Sequence, residues 1–179
     1  MERYSWTGFS GCYWRDYGGE CDIGKAVSVL DEHPWRSLGG DSIKDIRDYL
    51  KRYSGNDKYT MHVGTDTKPY CEDTTLITAI CFREYGKGAV VAYQKYKIPP
   101  FPTVRDRLFH ETLVSLEVAH ALVDLTGLRP TIHADVNPKK DTLSNTTVDA
   151  IMGMIKGMGY PVLVKPEAWA ADIADMYTR

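Results

Sequence analysis

The stretch Met61-His62-Val63-Gly64-Thr65-Asp66-Thr67 decides how this chain is read. Apolar, small and β-branched residues make it a strand, predicted over residues 59–66 and stopped by Lys68-Pro69. The strand ends on an acid. Burying a carboxylate is costly unless it is paired, hydrogen-bonded or bound to a metal. Asp also caps the turn after many ordinary strands, so Asp66 carries meaning only if other acids join it.

Moving outward, residues 74–84 form a second predicted strand, apolar and β-branched at its start. Gly86-Lys87-Gly88 turns tightly into a third, residues 89–98. Pro99-Pro100-Phe101-Pro102 forbids regular structure. A long helix is expected over 104–126, closed by Gly127. Residues 130–136 make a fourth strand, 142–158 a helix, 160–164 a fifth strand and 167–177 a last helix. The order βββαβαβα predicts an α/β domain. Its sheet is mixed and five-stranded, with three antiparallel strands, then two parallel ones, and flanking helices.

Upstream the texture differs. Residues 1–40 are rich in Gly, Trp and Tyr without sustained periodicity, and read as a loop-rich N-terminal extension. The domain proper is expected over 41–179, opening with an amphipathic helix from Asp41-Ser42 that carries Ile43, Ile46, Tyr49 and Leu50 on one face. Cys12, Cys21 and His33 match no common zinc spacing. Gly19 to Ala26 nearly spells a phosphate-binding loop, but Ala26 stands where a Mg²⁺-ligating hydroxyl is needed.

Three further acids join Asp66. Asp135 lies near the C-terminal end of the fourth strand, the end where open α/β sheets form ligand sites. On the long helix, a wheel at about 100° per residue centres the apolar face on Leu108, Leu116, Ala119 and Val123. Glu111 falls at the margin of that face, while Glu117 falls on the polar side with Asp106, His110 and Asp124. On the last helix the wheel takes Trp169, Ile173, Met176 and Tyr177 as apolar, and places Asp172 nearer their margin than Asp175.

In this arrangement the sequence resembles the ribonuclease H-like superfamily, and most closely its uncharacterised YkuK-type family. The resemblance is carried by His62 to Thr67, Gly86 to Ala89, His110-Glu111 through Glu117, His133-Ala134-Asp135, and Lys165-Pro166 running to Asp175. It implies a ribonuclease H-like fold and a divalent-metal-dependent nuclease cutting RNA or an RNA–DNA hybrid. It further implies two Mg²⁺ or Mn²⁺ ions held by Asp66, Glu111, Asp135 and a fourth acid. The family pattern favours Asp175 for that role and the wheel favours Asp172.

His62 and Asp66 share a strand face, as do His133 and Asp135, so these histidines either orient a ligand or are simply hydrogen-bonded. Lys95 and Lys97 alternate with aromatics on a strand expected at the sheet edge. They either contact phosphates or guard that edge. Lys139 and Lys140, just past Asp135, are further candidate phosphate contacts.

Composition bounds the alternatives. With 43% apolar and 26% charged residues the chain can bury a core. Its net charge of −2 excludes a polycationic binder, yet acids held by metal would leave a positive remainder. The longest charge-free run, Tyr4 to Trp14, is far short of the roughly 20 residues of a membrane span. No apolar signal core opens the chain, so the cytoplasm is the expected location. Two other functions fit the same scaffold: a non-catalytic nucleic-acid-binding or interaction domain, and a metal-dependent hydrolase of a small phosphorylated molecule.

Overall fold

The computed structural model describes residues 29–54, 57–69, 72–138 and 145–176. Its elements are β1 (Trp35–Ser37), β2 (Ser42–Ile43), α1 (Ile46–Ser54), β3 (Tyr59–Pro69), β4 (Thr74–Glu84), β5 (Gly88–Ile98), α2 (Val104–Thr126), β6 (Thr131–Ala134), α3 (Asn145–Gly157), β7 (Val162–Val164) and α4 (Trp169–Met176). One sheet runs β2-β1-β5-β4-β3-β6-β7. β3, β4 and β5 are an antiparallel meander, and β6 and β7 join in parallel beside β3.

The mixed α/β architecture stands, but among the described residues the sheet has seven strands rather than five. Ser42–Ile43 is a strand instead of the start of the first helix, which begins at Ile46. β1 pairs with β2, and Gly40 takes φ 89° between them. β1 also pairs with β5 across Ala92 to Gln94, so β5 is not the sheet edge there. Trp35 is buried in the main core with Leu30, Leu50, Phe82 and Leu122, and its indole N–H donates to the Leu30 carbonyl at 2.9 Å.

α2 is framed as its sequence requires. Thr103 caps it by accepting from the Asp106 amide at 3.1 Å, and Gly127 closes it at φ 72°. The helix packs on one face of β3 and reaches α3. α4 lies on the opposite face, across β3, β4 and β6. Strand alternation therefore sends Thr65 and Thr67 toward α2, where Ser115 donates to Thr65 at 2.8 Å. His62, Gly64 and Asp66 point toward α4.

Gly64 sets how closely α4 can sit. A Cβ built there would meet the Ala170 carbonyl carbon and the Ala171 nitrogen, each at 2.4 Å. Backbone cannot yield as a flexible side chain can, so the strand and helix touch only because residue 64 has no side chain. Ala170, Ala171 and Ala174 complete the contact, all buried. Gly64→Ala is expected to cost about 3 kcal/mol of unfolding free energy, read from urea denaturation with an unchanged m-value.

Candidate carboxylate site

Of the four acids, from β3, α2, the residue after β6 and α4, Asp66 feels the charges of Asp135 and Asp175, and Glu111 those of Asp66 and Asp135. Asp66, on β3, is 6% exposed. Burial raises its pKa to about 7, and the charges of Asp135 and Asp175 add to the rise. The Thr67 backbone and the Arg107 guanidinium oppose it. Asp135 follows β6, and Lys165 Nζ lies 2.5 Å from its Oδ1. Asp135 and the neighbouring Asp172 act on that lysine to raise its pKa, against the effect of burial.

Glu111 enters from the α2 side. Thr67 donates its hydroxyl to Oε1 at 2.5 Å, and Arg107, one helical turn earlier, donates to the same oxygen at 3.2 Å. Burial lifts the Glu111 pKa to about 8, with Arg107 opposing and the charges of Asp66 and Asp135 reinforcing. The wheel placed Glu111 at an open margin. At 4% exposed it is instead sealed between α2 and β3.

Two other wheel readings need correction. Glu117 is half-buried rather than solvated, and burial together with Glu32 raises its pKa. Asp172 is the exposed acid of α4, whereas Asp175 is half-buried and acts electrostatically on Asp66. The buried face of α4 is made by its alanines, which fit against Gly64, with Trp169 and Ile173 packed partly buried beside them, while Met176 is 65% exposed.

Arg107, Lys165 and Thr67 partner the acids and were not read from the sequence. Arg107 had a signal: it stands four residues before Glu111 on a helix, so the two share a face. Lys165 had a weaker one, since parallel pairing of β6 and β7 brings residues 135 and 165 together.

His62 and His133 are hydrogen-bonded to each other, Nδ1 to Nε2, at 3.0 Å. Burial lowers each pKa to about 4, helped by the Arg83 charge, so both rings are neutral at physiological pH. Lys95 and Lys97 are exposed on β5. The register puts Lys95 in one row with Ile77 and Asp66, on the α4 face of the sheet. Lys97, in the next row, pairs with Asp73 at 2.5 Å. Lys139 and Lys140 lie outside the described residues, as do Cys12, Cys21 and the near phosphate loop. His33 stacks on Tyr96 with ring centroids 3.7 Å apart. Cys81 is a buried free thiol with its pKa pushed up to about 12, which makes it unreactive.

The ribonuclease H-like family profile matches residues 41–179. The chain belongs to the ribonuclease H-like family. The relative "Uncharacterized protein YkuK" of Bacillus subtilis (strain 168) is 26% identical over 159 residues, covering 77% of this chain and 91% of its own. This bears out the YkuK-type resemblance read from the sequence. No solved structure matches the chain significantly. Among the described residues, no helix is long and apolar enough to cross a membrane. Also among them, no group of three or more His, Cys, Asp or Glu side chains forms a ready metal-binding group.

The raised carboxyl pKa values have a stability consequence. Between about pH 4 and 8 the folded chain keeps protons on Asp66 and Glu111 that the unfolded chain has lost, so stability falls as pH rises through that window. In EDTA, Asp66→Asn should therefore be more stable than wild type at pH 8, by about 2–4 kcal/mol. The advantage should vanish near pH 4. Thermal melts across this pH series check it, and equal slopes for both proteins would refute the assignment.

Proposed function

We propose that this protein is a divalent-metal-dependent nuclease that hydrolyses phosphodiester bonds in RNA or an RNA–DNA hybrid. One observation carries the reading: acids from β3, α2, the end of β6 and α4 are close enough to act on one another. Asp66 feels Asp135 and Asp175, and Glu111 feels Asp66 and Asp135. Carboxylates this close need neutralisation, which protons on Asp66 and Glu111 and the cations Arg107 and Lys165 supply and which a divalent ion would supply in place of the protons.

The donor set suits Mg²⁺ or Mn²⁺. It is entirely carboxylate oxygen, with no thiolate among the four. Asp66, Glu111, Asp135 and Asp175 would hold the ions, two in this reading, with Asp172 as the alternative fourth acid. When bound, such ions lower the pKa of a water and neutralise charge on the leaving oxygen. The remaining chemistry belongs to the chain. Thr67 and Arg107 hold the Glu111 carboxylate by hydrogen bonds, and Lys165 forms an ion pair with Asp135. Lys95 and Lys97, and Lys139 and Lys140 a few residues after Asp135 in the sequence, would contact backbone phosphates. A cytoplasmic location accompanies this function.

A non-catalytic nucleic-acid-binding or interaction domain is the second reading. It is favoured by the lack of a ready metal group among the described residues, where Asp135 and Glu111 already have cationic partners.

The first reading predicts Mn²⁺-dependent cleavage of end-labelled RNA or hybrid. Asp66→Asn should lower that rate at least about a hundredfold, near 3 kcal/mol of transition-state stabilisation. Glu111→Gln should lose at least about tenfold more than Glu117→Gln. Binding of oligonucleotide without cleavage in Mg²⁺ or Mn²⁺ would establish the second reading instead.

A further inference from the structure

The buried histidines have no part in the scheme above, yet they touch the helix that carries Asp175. α4 is only eight residues long, about 12 Å, too short to hold its own shape in water. Its first-turn amides need partners. Those of Trp169, Ala171 and Asp172 find backbone carbonyls at 2.9, 3.1 and 3.3 Å. The amide of Ala170 finds a side chain: it donates to His133 Nδ1 at 3.3 Å.

That one bond sets the direction of every bond after it. A ring nitrogen that accepts from an amide carries no proton, so the His133 proton sits on Nε2. Nε2–H then donates to His62 Nδ1 at 3.0 Å. The His62 proton is thereby placed on its own Nε2, which donates to Thr60 Oγ1 at 2.9 Å. The Thr60 hydroxyl points on to the Arg83 carbonyl at 3.5 Å. The Trp169 ring packs against both imidazoles, with centroids 4.7 and 4.9 Å away, and Arg83 lies over that indole at 5.7 Å. The chain thus ties the first turn of α4 to β6, to β3 and to the β4 backbone.

We propose that His133 and His62 are positioning residues, whose directional hydrogen-bond chain pins the first turn of α4 on the sheet and so holds Asp175 against Asp66. This rests on the four acids acting as one site, and it adds how the fourth is held. Neither histidine touches substrate. Each acts through the helix. Gly64 allows the approach, the alanines fill it, and the imidazole chain fixes the rotation and register of the helix within it.

Two substitutions separate hydrogen bonding from packing. His62→Phe keeps a ring against Trp169 but removes the acceptor for His133. His62→Asn loses the ring and restores an acceptor near the Nδ1 position. Amide hydrogen exchange of the full chain, followed by mass spectrometry, is the readout. His62→Phe should speed exchange in α4 at least about tenfold while β4 stays protected, and His62→Asn should recover most of that protection. The reverse order, with Phe silent and Asn damaging, overturns the proposal, because packing would then be what matters. Should His62→Phe lose protection throughout the sheet, Thr60→Val replaces it. That variant removes only the last acceptor at an exposed position, and an unchanged α4 would refute the chain.

Calorimetric titration with Mn²⁺ supplies the second arm. His62→Phe and Asp175→Asn should each weaken binding, and the double variant should be no weaker than Asp175→Asn alone. A double variant weaker by the product of the two single effects overturns the link to Asp175. Wild type that fails to bind Mn²⁺ removes the metal reading, while the exchange result still decides whether the histidines anchor α4.

Discussion

The contact between β3 and α4 at Gly64 is the constraint on which the rest of the site depends. Helices normally stand off a sheet by the depth of their side chains. Here the helix backbone comes within reach of a strand position that has none, and only alanines intervene. Two residues beyond Gly64 on the same strand face stands Asp66, and on the helix beyond Ala174 stands Asp175. Close seating therefore brings two carboxylates together that a larger residue at position 64 would push apart. The same seating lowers the helix far enough for the Ala170 amide to reach His133. Packing and polar geometry here follow from one missing side chain.

A second consequence follows from strand alternation. Asp66 faces α4, while Thr65 and Thr67 on either side of it face α2. Glu111 thus approaches from the opposite side of the sheet and nears Asp66 where β6 has stopped at Ala134, so that this stretch of β3 has no neighbouring strand on that side. Carboxylates from two faces can share a site where a neighbouring strand has ended and leaves the edge of the sheet open. Asp135 stands just past that end of β6, and Asp66 stands on β3 beyond its last pairing with β6. The cations divide likewise: Arg107 accompanies the acid on the α2 side, and Lys165 the one beside β7.

Much of this was legible in sequence. The meander, the long helix and the parallel pair all follow from turn residues and periodicity, and Asp66, Glu111 and Asp135 stood out as acids in apolar surroundings. The failures share a physical cause, which is that single-element patterns do not contain the partner. The wheel on α4 took Trp169, Ile173, Met176 and Tyr177 as its apolar side and passed over the alanines, because nothing in the helix says that its counterpart surface is a glycine. It therefore turned Asp172 inward and Asp175 outward. Glu117 was read as solvated because its burial comes from other elements, which a single helix wheel does not contain. β1 is three residues long, too short for any alternation to register, and β2 shorter still. Their pairing is decided by Trp35, whose burial in the core is a tertiary fact.

The electrostatics of the cluster tie occupancy to protons. With Asp66 near 7 and Glu111 near 8, the metal-free site at neutral pH is held together partly by protons that ordinary carboxyls would have lost. A divalent ion in the proposed site would supply the same neutralisation, so it would compete with those protons and release them on binding. Affinity would then rise with pH through about 7 and 8 as first Asp66 and then Glu111 ionises. Thr67 bears on that competition, since its hydroxyl donates to the charged form of Glu111 and favours ionisation. The β3 strand thus acts on both sides at once: Gly64 and Asp66 draw α4 and its acid inward, and Thr67 prepares the acid of α2 to give up its proton.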